Sequence, residues 1–78
     1  MRAMTIDQRP AALRAMRAYL DLPQSVVMAE TGLSQSTLTA AEKGQALSDK
    51  TWRRLTELYG ERGVQWREGE PGVMVTRT

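Results

Sequence analysis

Residues 24–44 read QSVVMAETGLSQSTLTAAEKG. Two short helices joined by a tight corner account for this stretch. Val27 and Met28 give the first helix, 24–31, its apolar bulk. Gly32 ends it, because a residue without Cβ enters the left-handed turn conformation at little steric cost. Ser34 has the side chain of a helix N-cap, so a second helix is expected over 35–43, closed by Gly44. Such a pair braces the second helix at a steep angle and leaves one of its faces outward. That face is made of Gln, Ser and Thr, poor material for a helix whose only task is stability.

Working outward, the flanking segments also read as helices. On the N-terminal side, Leu13, Met16 and Leu20 fall at i, i+3 and i+7, a buried stripe on a helix over 9–20. Thr5 and Gln8 have the spacing of a capping box, and Pro10 belongs in a first turn. On the C-terminal side, Ser48 is a candidate N-cap for a helix over 49–59 with Trp52, Leu55, Leu58 and Tyr59 on its apolar face, and Gly60 is its expected stop. Beyond it, Val64–Trp66 and Val73–Val75 alternate with polar residues around a Gly/Pro turn, which predicts a β-hairpin or extended tail. Met16 and Met28 are expected as core fillers. The expected organisation is a helical unit over 1–60, with the two-helix motif at 24–43, and a tail over 61–78 serving dimerisation.

Composition narrows the function classes. The 78 residues allow one domain with a thin core. No Cys and no His are present, which excludes disulfides, thiolate metal sites and imidazole catalysis. No metal or cofactor is expected. No nucleophile with a base and no phosphate loop is evident, so no enzyme is expected. No apolar run is long enough for a membrane span, and a cytoplasmic location is the expectation. The net charge is +2 with a pI near 9.5. Arg2, Arg9, Arg14 and Arg17 precede the nearly uncharged 24–44 stretch, and Lys50, Arg53, Arg54 and Arg62 follow it. Neutral polar side chains flanked by cations suit a division between base edges and phosphates.

Residues 9–60, and 24–44 above all, resemble the Cro/CI (Xre-type) helix-turn-helix regulators. The likeness rests on Gln24, Gly32, Ser34 and the closing Glu42-Lys43-Gly44 in one ungapped run. It implies a mainly α, four- to five-helix lambda-repressor-like domain that binds palindromic double-stranded DNA as a homodimer. The implied role is a repressor, acting on its own promoter, of a phage, mobile-element or small bacterial operon. Gln24 would bond a phosphate and steady Gln35. Gln35 and Ser36 would meet base edges. Ser34, Thr37, Thr39 and Lys43 would complete the DNA contacts, and Arg17 with Glu42 would form an ion pair between the first and third helices. Arg53 and Arg54 are further candidates for phosphate contact, and Arg2 for a minor-groove arm. Met28, Ala40 and Ala41 depart from the pattern: an Arg and a large apolar residue are common where Ala40 and Ala41 stand. The reading face thus lacks its usual charged member.

Trp52, Tyr59, Val64, Trp66, Val73 and Val75 are the expected dimer interface, since interfaces favour Trp. An alternative follows from the same apolar tail: a protein-binding module, such as an antitoxin covering a toxin or a regulator touching RNA polymerase. Whether the hairpin pairs within or between chains is open at this level.

Overall fold

The computed structural model describes residues 7–67 and 74–77, with Arg67 and residues 74–77 described through their backbone alone. Four helices run in the order α1 Arg9–Tyr19, α2 Gln24–Thr31, α3 Gln35–Lys43 and α4 Asp49–Glu61, followed by strands β1 Val64–Arg67 and β2 Met74–Arg77. The fold is mainly α, as the sequence predicts; no fifth helix occurs among the described residues.

Local signals set most of the boundaries. In α1, Asp7 Oδ1 accepts the Arg9 N–H at 3.0 Å. Gln8 is the N-cap but makes no capping bond with its side chain, so it is not half of a capping box. Thr5, the other half of that expectation, lies outside the described residues, as do Arg2 and Val73. The helix ends at Tyr19, one residue before the expected limit, because Asp21 turns the chain at φ +56°. Asp tolerates this left-handed conformation better than most side chains. Pro23 then opens α2 from an extended conformation.

The α2–α3 corner forms as its residues predict. Gly32 has φ +77° and donates its N–H to Met28 O at 2.8 Å. Thr31 Oγ1 donates to Val27 O and accepts the Leu33 N–H, which ties the corner from inside. Ser34 Oγ accepts the Thr37 N–H at 3.2 Å. At the far end of α3, Gly44 also has φ +77°, and a Cβ there would lie 3.2 Å from Pro10 Cγ of α1. Gly44→Ala is therefore expected to cost about 1–2 kcal/mol, a drop in Tm of roughly 5–15 °C. Gly60→Ala is the contrasting variant. Gly60 is helical with nothing near its missing Cβ, so the added methyl should raise stability by roughly 0.5–1 kcal/mol. Thermal denaturation of the two variants checks both signs.

Gly60 does not stop α4, which continues to Glu61. One glycine costs a helix only about 1 kcal/mol, and burial of Leu58 and Tyr59 just before it outweighs that. The turn comes at Gly63, with φ +88°.

The core draws on every helix: Ala12, Leu13 and Met16 from α1, Val27 from α2, Leu38 and Ala41 from α3, and Leu55, Leu58 and Tyr59 from α4, closed by Val64 of β1. Met16 is a core filler as predicted, while Leu20 and Met28 pack at its edge. The strands pair antiparallel within the one chain, Val64 opposite Arg77 and Trp66 opposite Val75. The second strand thus runs on past the predicted Val75 to Arg77. The ribbon lies against α1 and α4.

This packing corrects the expected interface. Tyr59 and Val64 are 0% and 1% exposed inside the subunit, so neither offers surface to a second copy. Trp66 points to the same side as Val64, as strand alternation requires, and its ring stands edge-on to Trp52 with centroids 5.2 Å apart. Both rings are half-buried in their own subunit. The Arg9 guanidinium lies over the Trp52 ring, 5.8 Å from its centroid. Val75 pairs with Trp66 through the backbone.

Candidate functional site

A helix advances about 100° per residue, so burial of Leu38, Ala41 and Glu42 fixes how α3 is turned. Ser36, Ala40 and Lys43 lie opposite Leu38. Gln35 and Thr39 flank this outward stripe on the Glu42 side, and Thr37 lies on the other flank. Gln35, Ser36, Thr37 and Lys43 are exposed; Thr39 and Ala40 are half-buried. The two-helix motif thus puts all but one of the predicted contact residues on or beside one polar face.

The exception is Gln24. Its Nε2 donates to Glu42 Oε1 at 3.2 Å, so it steadies Glu42 and not Gln35. Glu42 is 4% exposed and takes two further bonds from Arg17, Nε to Oε2 at 2.7 Å and Nη2 to Oε1 at 2.9 Å. This is the predicted ion pair between α1 and α3, in bidentate geometry. The bond to Glu42 is the main cause raising the Arg17 pKa above its ordinary value, with burial opposing. A charge-assisted fork of this kind holds orientation as well as energy. Arg17 Nη1 also donates to Leu22 O at 3.1 Å, at the end of the α1–α2 turn.

The start of α3 is a hydroxyl cluster. Ser34 Oγ donates to Thr37 Oγ1 at 2.9 Å and lies 3.2 Å from Ser36 Oγ. These hydroxyls cap the helix and one another. Gln35 is different: among the described residues its amide has no side-chain partner, so both its donor and acceptor atoms point to a ligand or to solvent.

Two arginines serve as helix caps. Arg14 Nη1 donates to the Glu42 carbonyl in the last turn of α3. Arg54 Nη1 donates to Thr31 O at 2.8 Å, at the end of α2. Cations are stabilising at helix C-termini. Here each comes from another part of the fold, so neither composition nor spacing could have revealed the Arg14 and Arg54 bonds. Arg54 stays exposed, with this one nitrogen engaged within the fold. Arg62 pairs with Glu30, and Arg9 with Asp7 and Asp49. Lys43, Lys50 and Arg53 are exposed and, among the described residues, hold no ion pair. These three cations stand at the end of α3 and the start of α4.

A separate groove of about 290 Å³ lies between α1, α4 and β1, lined by Met16, Thr56, Gly60, Val64, Gln65 and Trp66. No residue of α3 borders it. No helix among the described residues is long and apolar enough to cross a membrane. Compared with family models, curated proteins and solved structures, the chain matches none.

Proposed function

We propose that this protein binds double-stranded DNA through α3 and regulates transcription, as a repressor of Cro/CI-like type working as a homodimer. One observation carries the reading: α3 holds a neutral polar face outward while its opposite face is anchored by Arg17 and Gln24 through the buried Glu42. A rod of this kind fits the major groove, where base edges are distinguished by short polar side chains. Lys43, Lys50 and Arg53, just beyond the reading face, suit phosphate contact. The working location is the cytoplasm of a bacterium, with the gene belonging to a phage, a mobile element or a small operon, and the protein has no catalytic role. Dimers would meet half-sites about one helical turn apart, roughly 34 Å.

Gel retardation on the DNA upstream of its own gene tests this. Retardation should weaken steeply with salt, since neutralised phosphates release counterions. Absence of retardation on any fragment removes the reading. Gln35→Ala is expected to lose about 1–3 kcal/mol of affinity at one base position and to relax preference there. An equal loss on all sequences would show that Gln35 reads nothing.

The groove beside Trp66 favours a second reading, docking of a protein such as a toxin or RNA polymerase. Coexpression with the product of the adjacent gene tests it. A complex that survives gel filtration, and that Gln65→Arg at the groove disrupts, supports docking.

A further inference from the structure

We propose that the groove between α1, α4 and β1 is a site for a small, uncharged, two-ring heteroaromatic molecule whose N–H donates to the Gln65 side-chain carbonyl. Indole is the simplest member of this class. Such a site is independent of α3 and of DNA binding, and it gives the groove a different occupant from the protein partner considered above.

Gly60 is the starting observation. It stands inside α4, where glycine is the least favourable residue after proline. Nothing in the fold requires it there. Positive φ occurs at Gly32, Gly44 and Gly63 but not at Gly60. No atom lies within 4 Å of the place its Cβ would take. The missing side chain leaves a strip of bare α4 backbone along the groove, and bare backbone lets a flat ligand approach closely.

The rest of the groove sets the chemistry. Its volume is about 290 Å³. A cavity of roughly 150 Å³ accepts one benzene ring, so two fused rings fit here. Met16, Val64 and Trp66 supply the apolar contacts, and a thioether and an indole both favour aromatic neighbours. Met16 and Val64 are each 1% exposed and form the floor. No charged side chain lines the groove, so an ion would lose hydration there without gaining a partner. Two polar side chains remain, Thr56 and Gln65. The Thr56 hydroxyl is engaged by the α4 backbone, 3.0 Å from Trp52 O and 3.1 Å from Arg53 O. Gln65 is exposed, and its amide has no side-chain partner among the described residues. Its carbonyl is therefore the acceptor left for a ligand N–H.

Titration of the full chain with indole, followed through the Trp66 Nε1–H signal by two-dimensional NMR, tests the site. The signal should saturate with a dissociation constant of about 0.1–1 mM, ordinary for a ligand of this size. Benzofuran has the same shape with oxygen in place of the N–H, and should bind about three- to tenfold more weakly. Gly60→Leu places a side chain in the groove and improves helix propensity, so it should fold as the parent does and bind indole roughly tenfold or more weakly. Should Gly60→Leu not fold, Gln65→Met decides: it should erase the difference between the two ligands, and a difference that persists places indole elsewhere. A response that never saturates, or undiminished binding by folded Gly60→Leu, would overturn the site. Equal affinity of the parent for indole and benzofuran would overturn the class of ligand assigned to it.

Discussion

Arg17→Ala is expected to lower stability by about 3–5 kcal/mol, the usual consequence of leaving a buried charge without its partner. The charge in question is Glu42, 4% exposed and bonded to Arg17 through both carboxylate oxygens. Gln24 alone would remain beside it, with one bond of 3.2 Å. Length alone puts the total stability of such a domain at roughly 4–12 kcal/mol, so this single change brings the chain close to unfolding. Replacing both partners is different. In Arg17→Met with Glu42→Leu, no charge is stranded, and the desolvation that offset much of the ion pair's attraction disappears as well. Stability should return to within about 1 kcal/mol of the parent. Urea unfolding of both singles and the double gives the coupling directly. A cost below about 1 kcal/mol for Arg17→Ala would mean that water reaches Glu42 and that the cluster does not anchor α3. DNA affinity of the double variant adds a second reading. If the ion pair sets the angle of α3, affinity falls even where stability is restored.

The elements most legible in the sequence are those set by neighbours along the chain. Ser34, Ser48, Gly32 and Gly44 act on the backbone within a few residues of themselves, and each stands in the structure where it was expected. That α3 turns a Gln, Ser and Thr face outward was expected from the sequence, while burial of Leu38 and Ala41 in the fold fixes which residues stand on it. Gly60 misled because a helix end reflects competition between a local preference and packing. Burial of Leu58 and Tyr59 won, and the chain turned at Gly63 instead. Tyr59 and Val64 misled for another reason. An apolar stripe announces that a surface is covered but not by what, and the chain's own α1, α4 and ribbon supply the cover. The arginine caps were out of reach entirely. Arg54 and Thr31 are 23 residues apart, Arg14 and Glu42 28 apart; only the assembled fold brings them together. The Arg17–Glu42 pair was accessible through family resemblance, whereas the Gln24 bond to Glu42 was not.

Raising the pH should weaken the fold between about pH 10 and pH 12, through Tyr59. Its phenol is completely enclosed, and its hydroxyl has no hydrogen-bond partner among the described residues. Burial is the main cause raising its pKa, from 10.0 to about 12; the Glu42 carboxylate adds to the rise and Arg17 opposes it. In the unfolded chain the same group ionises near 10, where its charge is solvated by water. Below pH 10 the phenol is neutral in both states, and its contribution to stability does not depend on pH. Above pH 10 the unfolded state loses its proton first, so stability declines until the folded form also ionises near pH 12. Two pH units at 1.36 kcal/mol each give a loss of up to about 3 kcal/mol. Arg17 keeps its charge through this window, since its own pKa is raised. Tyr59→Phe separates this effect from any other alkaline process. The variant removes a buried hydroxyl that has no partner, so its stability at neutral pH should be unchanged or up to about 1 kcal/mol higher. Its urea midpoint should then stay nearly level from pH 10 to 12 while that of the parent falls. Parallel decline in the two proteins would show that the Tyr59 hydroxyl is solvated in the fold and that the centre of the helical core is wetter than its packing indicates.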